Sequence, residues 1–123
     1  MKAQVSIEYM ALLLVFMTVL SLSVAVLFSI KDTSEKSAEI ISFKAQINEL
    51  DNKIRTVCFL GSGNKRSLEL KYPIELDYLD EQIEYNYKNY SILRHYPCSV
   101  TGDYSLEDLI LIENLDGIIY LEK

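Results

Sequence analysis

Neither proline nor glycine occurs in the first 60 residues of this 123-residue chain, whose two prolines and four glycines all lie further on. Because these two residue types interrupt helices most strongly, nothing in that stretch breaks a helix. Formal charge is absent as well from residues 9–30. Twenty-two uncharged residues in a helix that rises about 1.5 Å per residue span roughly 33 Å, which is enough to cross a bilayer.

The length of this apolar run separates three interpretations. A cleaved secretory signal has an apolar core of only about 7–15 residues, followed by a small-residue cleavage site. Here the run is longer and continues into Lys31 and Asp32 without a break. A buried core helix of a soluble protein is the alternative, but a chain of this size has too little else to wrap it. We therefore expect residues 4–30 to be a retained membrane anchor.

Side chains suited to catalysis, metal binding or nucleic-acid binding are also scarce. The chain has one histidine and a formal net charge of −6, with Lys65 and Arg66 as its only adjacent basic pair. An acidic chain repels nucleic-acid phosphates, so no nucleic-acid partner is expected. The glycines of Gly61-Ser62-Gly63-Asn64 lack the spacing of a P-loop. We expect no enzyme, no cofactor and no catalytic or metal-binding residue.

A short polar motif begins the apolar run: Gln4-Val5-Ser6-Ile7-Glu8-Tyr9-Met10-Ala11-Leu12. Its pattern, Gln-x-Ser-x-Glu-x-x-x-Leu, resembles the class III signal peptide of archaeal type IV pilin-like proteins. The resemblance covers only the first thirty or so residues. It implies that a pre-pilin peptidase cuts between Ala3 and Gln4, which removes residues 1–3 as a leader. The motif residues that it assigns to processing and assembly are Ser6, Glu8 and Leu12.

Glu8 lies at the edge of the apolar run, and its charge needs a partner there. A carboxylate drawn into hydrocarbon costs about 2.5–3.5 kcal/mol on insertion scales. The resemblance implies that this partner is the amine freed at Gln4, in the same subunit or in a neighbouring one. The unpaired amides of the first helical turn also favour a carboxylate. The alternative is that Glu8 only marks the membrane edge beside Lys2.

Lys2 is the only basic residue before the apolar run. Because basic residues are retained on the cytoplasmic side, Lys2 favours a single-pass topology with the N-terminus inside. The rest of the chain is then expected outside the cell.

Beyond residue 30 the chain becomes polar but keeps a helical period. Apolar residues alternate steps of three and four, as at the a and d positions of a heptad: Ile40, Phe43, Ile47, Leu50, Ile54 and Val57. We expect one continuous helix from near Gln4 to about Val57, whose residues 31–57 hold a head domain along this stripe. A parallel coiled coil in a membrane-anchored dimer is the alternative.

Short apolar runs with turn signals predict a β-rich head of residues 58–123. VCFL and SLELKY flank Gly61-Ser62-Gly63-Asn64 and predict a hairpin, while IELDYL and the two halves of QIEYNYKNYSILRHY predict further strands. Asp116-Gly117 is typical of a terminal hairpin turn. Residues 106–112 fit either a strand or a helix that begins at Ser105. The predicted fold is α+β, a long helix with a small antiparallel β head, and the resemblance makes it type IV pilin-like.

The two cysteines, Cys58 and Cys98, lie on the side that we expect outside the cell, where disulfides persist. A bond between them closes a loop of about forty residues and stabilises a small head by about 4 kcal/mol in the chain-entropy model. Two buried free thiols are the alternative. A metal site that includes His95 has too few ligands.

Asn89-Tyr90-Ser91 is the single N-glycosylation sequon. It falls in a predicted hairpin turn of the extracellular head. Asn89 is therefore a candidate acceptor for a glycan on an outward-facing surface.

These features predict a structural subunit, major or minor, of an extracellular type IV pilus-like filament. Its expected partners are the pre-pilin peptidase, other pilin-like subunits and, before assembly, the membrane. Its expected location is the cell membrane and then the cell surface. The alternative is a single-pass membrane protein whose extracellular head binds a ligand or partner and never polymerises. A third hypothesis, a membrane-tethered enzyme, has no motif in its support.

Overall fold

The computed structural model describes residues 2–79 and 81–123, with side chains from Ser6 onward. The described part has an α+β fold, in which one long N-terminal helix precedes a mainly antiparallel β head, as predicted. Its elements are α1 (Lys2–Leu60), β1 (Lys65–Glu69), β2 (Ile74–Leu79), β3 (Gln82–Tyr87), β4 (Tyr90–His95), β5 (Ser99–Gly102), β6 (Ser105–Leu106), β7 (Leu109–Leu115) and β8 (Ile118–Glu122).

Helix α1 runs without interruption, in keeping with the absence of proline and glycine. It ends at Leu60, three residues beyond the expected Val57. Gly61 follows with a φ of 82°, the left-handed conformation that commonly ends helices. Asn64 Nδ2 then donates to the carbonyl oxygens of Leu60 and Gly61, at 2.9 and 3.0 Å. The prediction that VCFL forms a hairpin strand is wrong, because these residues are the last turn of the helix.

The chain divides into two compact units, Met1–Ile41 and Ser42–Lys123. In the described part of the first unit the only element is α1. The second unit contains the rest of α1 and all eight strands. The boundary therefore falls within the predicted segment 31–57.

The strands of the second unit form two four-stranded sheets, ordered β1-β7-β8-β5 and β4-β3-β2-β6. The pairings are antiparallel, as expected, except that β5 lies parallel to β8. A parallel pair joins strands whose ends lie far apart in the chain, so no local turn signal announces it. Gly102, which pairs with Leu121 in this ladder, has a φ of 150°.

The predicted stripe of α1 supplies one side of the core of the second unit. Five of its residues have no exposed surface: Phe43, Ile47, Leu50, Ile54 and Val57. They pack with buried strand residues: Leu68, Leu70, Ile74, Leu76, Ile83, Tyr85, Tyr96, Val100, Leu106, Ile110, Ile112, Ile119 and Leu121. The stripe is thus buried within a single chain, which is the predicted docking arrangement. Ile40, the first residue of the expected stripe, lies in the other unit and is half-buried.

Residues 106–112 form neither one continuous strand nor a helix. Asp108, with a φ of 57°, separates β6 from β7. β6 pairs with β2, whereas β7 pairs with β1 and β8, so the chain crosses from one sheet to the other here. The hairpin predicted at Asp116-Gly117 is confirmed. Both residues have positive φ, 54° and 88°, as a two-residue type I′ turn requires.

Candidate functional site

The apolar half of α1 exposes its side chains on every side. Between residues 7 and 30 the large apolar side chains are 42–71% exposed. By length and composition this helix can cross a membrane. Soluble monomers rarely expose a contiguous apolar surface of this extent. An apolar surface of this kind is suited to lipid or to contact with other apolar helices.

Three hydroxyl groups in the middle of this apolar half are satisfied by the helix itself. They donate to a backbone carbonyl three or four residues earlier, at 2.8–2.9 Å: Thr18 to Val15, Ser21 to Met17 and Ser23 to Val19. Hydroxyls bonded in this way need no water. They can enter lipid or a dry helix bundle without leaving an unsatisfied donor.

The three motif residues with described side chains, Ser6, Glu8 and Leu12, all lie on α1 and are exposed. Glu8 and Leu12 are four residues apart and so share one face of the helix. Among the residues whose side chains are described, none forms an ion pair with Glu8. A partner charge would stabilise a carboxylate on an apolar helix, and the side chains of residues 2–5 are not among those described.

The predicted cleavage point lies outside the described side chains. The backbones of Ala3 and Gln4 belong to α1, but their side chains are not among those described, and Met1 is outside the described residues. The pairing of the Gln4 amine with Glu8 thus stays a prediction. Two ion pairs follow directly after the apolar segment. Lys31 Nζ is 3.8 Å from Glu35 Oε1, and Lys36 Nζ is 2.8 Å from Asp32 Oδ2.

A buried glutamine holds the start of the docked helix segment to the head. Gln46 is 9% exposed. Its Oε1 accepts from the amides of Lys71 and Tyr72, at 2.8 and 3.0 Å, and its Nε2 donates to the Tyr72 carbonyl at 2.9 Å. All three bonds satisfy backbone groups between β1 and β2. Gln46 is a polar residue beside Ile47 in an apolar stripe, and sequence reasoning did not find it.

The far end of the docked segment is fixed by a disulfide. Cys58 and Cys98 are bonded, with their Cα atoms 6.3 Å apart, which is the pair predicted from the sequence. Close by, Nδ2 of the buried Asn114 donates to the carbonyl of Val57 at 3.1 Å. The disulfide and this hydrogen bond tie the last turns of α1 to β7 and to the segment before β5.

A buried pair of tyrosines lies beneath the middle of the docked segment. The hydroxyl oxygens of Tyr85 and Tyr96 are 2.6 Å apart. Burial raises the pKa of both phenols well above the ordinary value. Arg55 stands 5.4 Å over the ring of Tyr96 and donates from Nε to Asp51 at 3.0 Å, and this hydrogen bond raises the pKa of Arg55. Both phenols stay neutral at ordinary pH, and the pair therefore contributes to packing.

An open depression lies beside the turn between β2 and β3, lined by Tyr78, Leu79, Glu81, Gln82 and His95. His95 Nε2 is 3.7 Å from Glu81 Oε2, and both side chains are mostly exposed. In the described ranges no three His, Cys, Asp or Glu side chains come together as a metal site would need. The described lining of the depression offers aromatic and polar surface.

Asn89, the acceptor residue of the sequon, lies in the two-residue turn between β3 and β4. Its side chain is exposed, as is that of Ser91. The predicted hairpin turn at this point is confirmed.

Comparison of the chain with protein-family models, curated proteins and solved structures found no match. The resemblance of the short N-terminal motif to a class III signal peptide therefore stays a prediction from the sequence. The physical properties of α1 and of the head are the remaining grounds for assigning a function.

Proposed function

We propose that this chain is a class III, type IV pilin-like subunit. In this role a pre-pilin peptidase removes residues 1–3, and the mature chain joins an extracellular filament through the apolar half of α1. The observation that carries the proposal is the exposure of apolar side chains all round α1 between residues 7 and 30. It is joined by the placement of Glu8 within the Gln4–Leu12 motif.

Transfer from membrane to filament is physically reasonable for this helix, because lipid and a bundle of like helices are similar solvents for apolar side chains. The hydroxyls of Thr18, Ser21 and Ser23 are already bonded within the helix. Neither environment leaves them unsatisfied. The free energy of transfer is therefore decided mainly by helix packing and by the charge at Glu8.

In this proposal Glu8 makes the filament more favourable than the membrane for the processed chain. In lipid its carboxylate carries the insertion cost, whereas in a filament the amine freed at Gln4 of a neighbouring subunit neutralises it. Cleavage before Gln4 creates that amine at the membrane edge. Processing and assembly are thereby linked, since an uncut chain lacks the amine at Gln4 and keeps the Lys2 charge in the leader.

The head supports a structural role by being fixed to α1. Gln46 joins it to the start of the docked segment, and the Cys58–Cys98 disulfide joins it to the end. A filament subunit that meets shear and proteases outside the cell benefits from both attachments.

A second candidate function is a single-pass membrane protein with a binding head. The open depression lined by Tyr78, Glu81, Gln82 and His95 favours it, because exposed aromatic and polar groups can bind a polar ligand there. In that case the apolar half of α1 is only an anchor.

Mechanical shearing of native cells tests the proposal. We expect the chain in the sheared material, in particles that sediment as filaments. A marker membrane protein that must remain with the cells serves as control. Recovery of the chain only in the membrane fraction contradicts assembly and supports the single-pass alternative.

A further inference from the structure

Asn89 is held in an accessible position by the turn that contains it. Tyr87 of β3 pairs with Tyr90 of β4 on either side, which leaves Lys88 and Asn89 as the two turn residues. The turn is tight because it has only these two residues, and Lys88 has the positive φ, 53°, that such turns require at their first position. The side chain of Asn89 is exposed in the folded head. The folded head therefore leaves Asn89 open to solvent.

The residue two positions later completes an acceptor site. Ser91 lies at the start of β4, opposite Asn86, and is exposed. The other asparagines, which are Asn48, Asn52, Asn64, Asn86 and Asn114, have neither serine nor threonine two residues further on. Asn89 is thus the single asparagine in the chain with both an accessible amide and the required hydroxyl.

We propose that Asn89 carries an N-linked glycan. Its Nδ2 attacks the anomeric carbon of a saccharide borne on a polyprenyl phosphate. A nitrogen–carbon bond forms as the bond from that carbon to the phosphate oxygen breaks. The lipid phosphate leaves with the electron pair, the amide loses one proton to a base of the transferase, and nothing is oxidised or reduced. The inference rests on the proposed function to the extent that the head must lie outside the cell.

The turn that contains Asn89 lies beside the docked segment of α1. The ring of Tyr87, next to the turn, stacks on Phe43 of α1 with centroids 5.0 Å apart. This contact places the turn beside the first buried residue of the docked helix segment.

Peptide mass spectrometry on the chain from the native surface fraction tests the inference. The peptide that contains Asn89 should carry the added mass of one or more saccharide residues, and the N-terminal peptide from the same sample reports processing. An unmodified Asn89 in a chain that begins at Gln4 overturns glycosylation and leaves the pilin-like proposal standing. A glycosylated Asn89 in a chain that begins at Met1 supports glycosylation and contradicts pre-pilin processing.

Four variants expressed in the native host assign the modification to the sequon. Asn89→Gln and Ser91→Ala should each lose the added mass completely, whereas Ser91→Thr should keep it. Asn86→Gln, on the same hairpin but outside the sequon, should keep it as well. If Asn89→Gln fails to fold, Ser91→Ala gives the same readout with the acceptor asparagine intact. Retention of the added mass in Ser91→Ala overturns the inference.

Discussion

Gln46 and Tyr72 are joined by two hydrogen bonds, because the side-chain amide of Gln46 binds both backbone groups of Tyr72. Oε1 accepts from the Tyr72 amide at 3.0 Å, and Nε2 donates to its carbonyl at 2.9 Å. The pair joins a helix to a loop 26 residues later in the chain. The buried Gln46 side chain thus makes the hydrogen bonds to this loop's backbone that water would otherwise make.

Gln46→Leu should lower the free energy of unfolding of the full chain in detergent by about 1–3 kcal/mol, because it leaves buried backbone groups of Lys71 and Tyr72 without partners. Denaturant unfolding followed by tyrosine fluorescence measures this. Asn52→Leu, at an exposed position of the same helix, is the control and should change stability by less than about 0.5 kcal/mol. Equal effects from the two variants would mean that the Gln46 bonds contribute nothing specific.

The Tyr85–Tyr96 pair predicts a loss of stability at alkaline pH. Burial raises both folded-state pKa values above the ordinary value near 10. Above that pH the unfolded chain releases protons that the folded chain keeps, so stability is complete below about pH 10 and falls as pH rises further. Unfolding curves from pH 8 to 11 measure the decline. The double variant Tyr85→Phe/Tyr96→Phe should have a shallower decline, and a slope unchanged from that of the parent chain would show that these two phenols do not cause it.

Removal of the Cys58–Cys98 disulfide should destabilise the head by about 4 kcal/mol, since the bond closes a loop with a sequence separation of 40. Cys58→Ala/Cys98→Ala avoids free thiols and is compared with the oxidised parent by chemical unfolding. The parent under a reductant should resemble this variant. A difference below about 1 kcal/mol would indicate that the hydrogen bond between Asn114 and Val57 already fixes the helix end.

Gly102→Ala should destabilise the chain by about 2–4 kcal/mol. At a φ of 150° a Cβ would overlap the backbone of Leu121 on the neighbouring parallel strand. Gly63→Ala is the matched control, because its φ is also positive, at 87°, but a Cβ there meets no atom within 4 Å. Thermal unfolding measures the loss of stability in each variant. A larger loss for Gly63→Ala than for Gly102→Ala would show that backbone strain outweighs the close approach to Leu121.

Glu8→Leu should leave membrane insertion intact and prevent incorporation into filaments, because the register between subunits then has no charge pair to fix it. Immunoblots of membrane and sheared fractions measure the two steps separately. Glu35→Leu, which removes a carboxylate from α1 beyond the apolar segment, should assemble normally. Normal filaments from Glu8→Leu would refute the role of Glu8 in register.

The features that sequence reasoning predicted correctly are governed by local rules. Uninterrupted α1 follows from the lack of proline and glycine, and the buried stripe from Phe43 to Val57 follows from its period. The turn at Asp116-Gly117 follows from a residue pair that readily adopts the positive φ found at both positions. Each of these features is decided by a few neighbouring residues.

The features that sequence reasoning missed depend on contacts between distant residues. VCFL has strand-like composition, yet it stays helical because Val57 packs in the core and Gly61 ends the helix only afterwards. The parallel pairing of β5 with β8 and the bonds from Gln46 to Tyr72 have no local signal at all. The exposed apolar surface of α1 was predicted from composition, whereas the partner of Glu8, the Gln4 amine of the same or a neighbouring subunit, stays a prediction.

The intact mass and N-terminal sequence of the chain from its native membrane or surface fraction test the pilin-like proposal most directly. A mature chain that begins at Gln4, with a free or cyclised N-terminus, is the predicted result. It would establish cleavage after Ala3. A free N-terminus would supply the amine proposed to pair with Glu8, whereas a cyclised one would leave only amide donors there. A chain that still begins at Met1 would contradict the proposal and leave an uncut single-pass anchor.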